Sequence, residues 1–173
     1  MKFLAPGPEE GKPIPKLEAS QLNKKRFTLT TLRGQPIALF FFCGCQACWD
    51  LATEWNRLQR AEVLRNQAPG LKRTVIVYVD MSPSAAESLA RATGWEGEST
   101  LPLVDTNDIA RKAYQAEPCP RVFVADSRHI LRYTNSHPYD QPQKAPVAAI
   151  AAFCLDALKR VAAKPIPNQK ESQ

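Results

Sequence analysis

The order of apolar segments in this sequence predicts an α/β domain with a mixed central β-sheet and helices on both faces. Two runs, residues 37–42 and 74–79, are apolar at nearly every position, which is typical of central strands covered on both sides. A helical periodicity lies between them, and strand patterns at 121–125 and 130–134 follow as a hairpin. The chain has 173 residues, enough for one such domain with a buried core.

The segment before the first apolar run is rich in proline and predicts an extended, poorly regular lead-in over residues 1–22. Residues 27–30 alternate apolar and polar side chains and predict a short strand, whereas residues 33–36 predict a turn. Beyond the first run, side chains spaced by three or four positions predict one face of a long helix, which residues 68–70 end. That face consists of Ala47, Leu51, Trp55, Leu58, Ala61 and Leu64.

The second apolar run is followed by a further helix and two shorter elements. Ser82 and Pro83 have the residue types of an N-cap and a first-turn proline, and Gly94 ends the helix that they begin. Residues 101–104 predict a short strand, and residues 107–114 predict one or two helical turns.

Residues 146–162 predict a final helix, and the polar residues after it predict a disordered tail. The sequence therefore divides into a lead-in over 1–22, one domain over 23–162 and a tail over 163–173. It contains no internal repeat and no second domain.

Composition and charge exclude several classes of function. The net charge is +6, but the basic residues are spread along the chain and only residues 24–26 form a tight run, so we expect no nucleic-acid partner. The sequence has no apolar run of the roughly eighteen residues that a membrane segment needs. It also has no secretory h-region, so the protein is expected in the cytoplasm, or outside it if a leader has been removed.

The five cysteines carry the main chemical signal of the sequence, and their odd number excludes a complete set of internal disulfides. Cys43, Cys45 and Cys48 lie where the first apolar run meets the long helix. A helix N-terminus favours negative charge, so a thiolate at Cys45 is expected to be stabilised. Cys48 lies one turn further along the same face and could resolve a mixed disulfide formed at Cys45. Cys154 lies in an Ala-rich helical segment and is expected to be a buried structural thiol.

Several motifs at ordinary spacings resemble the redoxin (AhpC/TSA-like) branch of the thioredoxin superfamily over roughly residues 11–160. They are Lys12–Pro15, the Leu32–Pro36 turn, Cys45-Gln46-Ala47-Cys48, Leu103–Thr106 with Ala113–Tyr114, and Pro120–Asp126. The resemblance implies a thioredoxin fold and a thiol–disulfide oxidoreductase that exchanges electrons with protein thiols or disulfides, without a cofactor. It also implies that Pro120 is cis beside the Cys45–Cys48 pair and that the backbone of Cys119 pairs with the incoming substrate in a groove.

The sequence departs from the family pattern at three places. Gly44 stands where relatives usually carry tryptophan, and Leu39 stands where many carry a buried acid that moves protons. Asp80 or Glu54 could take over that proton transfer. Cys43 is an additional, auxiliary thiol, as is the cysteine at position 119.

Two alternatives remain open at this point. A peroxiredoxin-like peroxidase would use Cys48 as its peroxidatic residue, although Cys45 replaces the expected threonine and Arg121 is one place out of register. A non-enzymatic module could instead bind copper, zinc or an iron–sulfur cluster through Cys43, Cys45, Cys48 and Cys119. Structural zinc at the C-x-x-C alone is disfavoured, because neither a second C-x-x-C nor a closely spaced histidine pair accompanies it.

Overall fold

A computed structural model describes residues 7–95, 97–117, 119–135 and 147–162. The described strands are β1 (Ala19–Gln21), β2 (Arg26–Phe27), β3 (Ile37–Phe42), β4 (Thr74–Tyr78), β5 (Thr100–Val104), β6 (Arg121–Ala125) and β7 (Leu131–Thr134). The helices are α1 (Gln46–Arg60), α2 (Val63–Gln67), α3 (Pro83–Thr93), α4 (Ile109–Tyr114) and α5 (Val147–Ala162), with a 3₁₀ helix at Leu29–Leu32.

The seven strands form one mixed sheet in the order β2-β1-β5-β4-β3-β6-β7. The central strands β3, β4 and β5 are parallel, whereas β6 runs antiparallel to β3 and β7 antiparallel to β6. Helices α1 and α3 connect the parallel strands, as βαβ units require. Because β3 is central and ends at the start of α1, the segment that joins them lies at the carboxyl edge of the parallel strands.

Successive side chains of β3 point into two separate cores, as the pleat of a strand requires. Phe40 and Phe42 pack in one core with buried residues of α1, α3 and α5. Leu39 and Phe41 pack in the other with Tyr114 of α4 and with residues of the N-terminal segment. The predicted mixed sheet with helices on both faces is therefore confirmed.

Helix α3 begins and ends at the residues that the sequence indicates. The hydroxyl of Ser82 accepts a hydrogen bond from the backbone N–H of Ala85 at 3.2 Å, and Pro83 is the first helical residue. Gly94 ends the helix with φ 75°, a left-handed conformation that glycine adopts without strain.

The lead-in is more regular than the sequence predicts. Leu17 is buried, and β1, which lies inside the segment expected to be irregular, pairs antiparallel with both β2 and β5. Three residues of strand are too few for a periodicity to be recognised, so pairing with the sheet decides their conformation.

The strand predicted at 27–30 is wrong beyond Phe27, since a 3₁₀ helix begins at Leu29. The hydroxyl of Thr31 donates to the carbonyl of Thr28 at 3.0 Å, and the hydroxyls of Thr28 and Thr30 lie 2.8 Å apart. Such local side-chain hydrogen bonds give the backbone an alternative to strand pairing.

The single long helix predicted before residue 68 is two helices. Glu62 has φ 57° and separates α1 from α2, and the break still leaves Leu64 buried in the core that α1 shares. None of the described helices is both long and apolar enough to span a membrane. The tail predicted over 163–173 lies outside the described residues.

Candidate active site

The junction between β3 and α1 brings two cysteines of the C-x-x-C sequence onto the first turn of a helix. Cys45 is the N-cap residue of α1, with φ −69° and ψ 167°, and its side chain is exposed. Cys48 lies in the first turn and is completely buried. The pair therefore combines one thiol that a large partner can reach with one that it cannot.

Gly44 allows the chain to turn between the strand and the helix. Its φ is 86°, in the left-handed region that a residue with a Cβ rarely adopts. A Cβ at this position would also lie 3.5 Å from the Cδ2 of Leu89, an ordinary contact, so the backbone conformation is the main requirement for glycine. With this turn, Cys43 at the end of the strand and Cys45 at the cap both lie near Cys48.

The sulfur atoms form a compact group around Cys48. Its Sγ lies 3.5 Å from that of Cys45 and 4.0 Å from that of Cys43. The Sγ atoms of Cys43, Cys48 and Cys119 all lie within 4.8 Å of one another. The fifth thiol, Cys154, is buried in α5 and belongs to the core. All five cysteines are free thiols in the structure.

Cys119 and Pro120 approach the thiols from the start of β6, which pairs with β3. The peptide bond between them is cis, and Pro120 is buried. The carbonyl oxygen of Cys119 lies 3.9 Å from the Sγ of Cys45. This backbone oxygen therefore lies beside the exposed thiol.

Asn135 holds this segment in place, and sequence reasoning did not identify it. Its Nδ2 donates to the carbonyl of Pro120 at 3.0 Å, and its Oδ1 accepts from the backbone N–H of Val122 at 2.9 Å. The residue directly follows β7, and its partners are thirteen and fifteen positions away in the chain. Only the pairing of β6 with β7 brings them together, so no local pattern in the sequence could have shown the contact.

Two of the clustered thiols, Cys43 and Cys48, have raised pKa values. Burial raises the pKa of Cys43 from its ordinary value of 9.0 to about 11. The pKa of Cys48 is raised as well, first by its contact with the thiol of Cys119 and second by burial. A thiolate at Cys48 is therefore costly until a reaction partner compensates its charge.

The two acids considered for proton transfer form ion pairs elsewhere. The carboxylate of Asp80 binds Arg111 at 2.7 Å, and the carboxylate of Glu54 accepts from Arg57 at 3.1 Å. Leu39 is fully buried on the core face shared with Phe41. The peroxidase hypothesis would require an arginine close to Cys48. The guanidinium of Arg121 instead lies over the ring of Phe123, 5.7 Å from the ring centroid.

Among the described residues, one group of side chains lies close enough together to hold a metal ion. It consists of Cys43, Cys48 and Cys119, each of which offers one sulfur atom. Cys45, included in the four-cysteine set predicted from the sequence, lies outside this mutually close group although it is near Cys48.

No protein-family model matches the chain, and no curated protein matches its sequence. Its fold does match solved structures. A thiol:disulfide interchange protein of the thioredoxin family from Chlorobium tepidum TLS aligns with a TM-score of 0.61 at 17% identity, covering 87% of this chain and 98% of that one. A secreted Mycobacterium tuberculosis disulfide oxidoreductase, described as homologous to E. coli DsbE, aligns with a TM-score of 0.59 at 16% identity, covering 79% and 95%.

A third structure, the thioredoxin domain of a thiol-disulfide oxidoreductase from Bacteroides vulgatus, aligns with a TM-score of 0.59 at 15% identity. The alignment covers 84% of this chain and 98% of that one. At such low identities the matches establish the fold, and the thioredoxin fold predicted from the sequence is confirmed.

Proposed function

We propose that the protein is a thiol–disulfide oxidoreductase that exchanges electrons with protein thiols or disulfides through Cys45 and Cys48. The observation that carries the proposal is the 3.5 Å separation of an exposed sulfur and a fully buried one at the start of a helix. The structural neighbours named as thiol:disulfide interchange proteins and oxidoreductases support the same class of reaction.

In the first step, the thiolate of Cys45 attacks one sulfur of a partner disulfide. A mixed disulfide forms between Cys45 and that sulfur, and the other partner sulfur leaves as a thiolate that takes a proton from solvent. Exposure at the N-cap suits Cys45 for this role, because the unpaired N–H groups of the first helical turn favour a negative charge there.

In the second step, Cys48 loses its proton and attacks the sulfur of Cys45. The Cys45–Cys48 disulfide forms, and the second partner sulfur leaves as a thiol. The 3.5 Å separation must shorten to the roughly 2.05 Å of a disulfide bond, a movement of about 1.5 Å that a side-chain rotation can supply. Two electrons have then passed from the protein to its partner, and the reverse sequence oxidises a partner dithiol.

The segment at Cys119 and Pro120 is the proposed substrate groove. The carbonyl of Cys119 faces the Sγ of Cys45 at 3.9 Å, so an extended peptide could place its own cysteine at Cys45 while its backbone pairs with this segment. Asn135 fixes the backbone on the Pro120 side of the groove. Main-chain pairing of this kind suits protein substrates of varied sequence, since it reads no side chains.

Disulfide exchange with an oxidised test protein examines the proposal. Reduced wild-type protein is expected to reduce insulin in the presence of a thiol regenerant, and Cys45→Ser is expected to lose this activity. Cys48→Ser is expected to stop at the first step and accumulate a mixed disulfide with the partner, visible on a non-reducing gel. Cys154→Ala, which alters a buried thiol of α5, serves as the matched control.

An undiminished rate in Cys45→Ser would contradict the assignment of the nucleophile. If that variant also consumed hydrogen peroxide as fast as the wild type, the peroxidase alternative centred on Cys48 would replace the proposal.

A further inference from the structure

We propose that the reduced protein also binds one monovalent copper ion through the thiolates of Cys43, Cys48 and Cys119. This site is distinct in composition from the redox pair, because it uses two thiols that the exchange reaction does not need. The three sulfurs come from the end of β3, the first turn of α1 and the residue before Pro120, so three separate elements hold them.

The spacing of the sulfurs fits three-coordinate binding. With metal–sulfur bonds of about 2.3 Å, an ion at the centre of three sulfurs requires sulfur–sulfur separations of about 4.0 Å. The Sγ atoms of Cys43 and Cys48 already lie 4.0 Å apart, and all three pairs lie within 4.8 Å. Contraction by less than about 0.8 Å per pair therefore completes the site.

The composition of the site favours copper in its monovalent form. All three donors are soft sulfur atoms, the ligand type that selects Cu(I), zinc and iron–sulfur clusters. Structural zinc sites are almost always four-coordinate, and Cys45, which could supply a fourth sulfur, lies outside the mutually close group. A three-sulfur set with no histidine or carboxylate among its members therefore fits Cu(I) better than Zn²⁺.

Binding displaces one proton from each of the three thiols into solvent, and no electrons are transferred, since copper enters and remains as Cu(I). Cys48 is shared between this site and the redox pair. If the proposed function is correct, a Cys45–Cys48 disulfide removes one copper ligand, and bound copper in turn removes the resolving thiol. The two states then exclude each other.

Anaerobic competition against the chromogenic Cu(I) chelator bicinchoninate tests the site with the full, reduced chain. One Cu(I) per chain is expected in the wild type. Cys43→Ser and Cys119→Ser should each weaken binding by at least about tenfold, since even outer-shell changes at metal sites cost that much. Cys45→Ser and the control Cys154→Ala should bind as the wild type does.

Failure to compete with the chelator, or an equal loss in Cys45→Ser and Cys43→Ser, would overturn the proposal. X-ray absorption at the copper edge of the wild type gives a second measurement that needs no variant, with three sulfur neighbours expected and two or four contradicting the assignment. Displacement of the copper by an equal concentration of Zn²⁺ would overturn the choice of ion.

The exchange assay on copper-free protein separates this proposal from the proposed function. Copper binding without exchange activity would refute only the redox role of Cys45 and Cys48. Exchange activity without copper binding would refute only the site formed by Cys43, Cys48 and Cys119. With both present, one equivalent of Cu(I) should slow oxidation of the Cys45–Cys48 pair by oxidised glutathione, and an unchanged rate would refute the shared use of Cys48.

Discussion

Brief alkylation of the fully reduced protein should modify Cys45 much faster than Cys43. Iodoacetamide reacts with thiolates, and it must reach the sulfur to do so. Cys45 is exposed at the N-cap of α1, whereas Cys43 is partly buried and Cys48 is completely buried. Selectivity for Cys45 is what the proposed division between an attacking and a resolving thiol requires.

The pKa of Cys43 sets the size of the expected difference. Burial raises this pKa from 9.0 to about 11, and each unit lowers the thiolate fraction near neutral pH tenfold. Cys43 should therefore react about a hundredfold more slowly than an ordinary exposed cysteine at the same pH. Cys48 should react more slowly still, because its pKa is also raised and none of its surface is accessible.

The assay is pulse alkylation near neutral pH, followed by digestion with trypsin and mass spectrometry. Cys43, Cys45 and Cys48 share the tryptic peptide 34–57, so fragment ions must assign the modified residue. Denatured protein supplies the control in which all three react at similar rates. If native Cys43 reacted within about fivefold of Cys45, burial would not control these thiols and the assignment of Cys45 as nucleophile would lose its physical basis.

Two further predictions concern the segments that support the site. Burial alone would raise the pKa of Asp126, but hydrogen bonds from Ile130, Arg132 and Arg128 outweigh it and hold this pKa below its ordinary value of 3.8. The ionised carboxylate therefore stabilises the folded state above about pH 4, and this stabilisation is lost as the pH falls through the folded pKa. Asp126→Asn should therefore lower the free energy of unfolding by about 1–2 kcal/mol at pH 7 and by less at pH 3, measured by urea denaturation, and a difference that did not shrink at low pH would contradict the argument. Gly44→Ala should lower the free energy of unfolding by about 1 kcal/mol, because the backbone at position 44 has a φ of 86°. In the control Gly97→Ala, the added Cβ meets nothing within 4 Å, so the free energy of unfolding should change little. Equal losses in the two variants would refute the requirement for glycine at the turn.

The central layers of the fold were predictable because their sequence signals are long and continuous. The runs that became β3 and β4 are apolar on both faces, and the caps of α3 have the residue types that such positions require. Two of the wrong predictions fall where signals are short, whereas the break at Glu62 lies inside a long periodic pattern that continues across it. A three-residue strand in the lead-in and a 3₁₀ helix at Leu29–Leu32 depend on pairing and on local hydroxyl contacts, which periodicity does not report.

The candidate site divides in the same way. Cys45 and Cys48 are three residues apart, so the start of one helix is enough to bring their sulfur atoms close together, as the sequence predicts. Only the family resemblance placed Cys119 beside this pair, and no feature of the sequence indicated the hydrogen bonds of Asn135. Both contacts depend on the registers that join β6 to β3 and β7. Contacts made across a sheet require the strand order, which the sequence does not state.

The central position of Cys48 connects the two proposals. Its sulfur lies 3.5 Å from that of the exposed Cys45 and 4.0 Å from that of the partly buried Cys43, and it can form a covalent bond with only one of them at a time. A copper ion held by Cys43, Cys48 and Cys119 therefore leaves Cys45 able to attack a partner disulfide but unable to release the product. Copper-loaded protein should then accumulate the same mixed disulfide as Cys48→Ser. A non-reducing gel of the two side by side decides whether bound copper prevents Cys48 from resolving the mixed disulfide at Cys45.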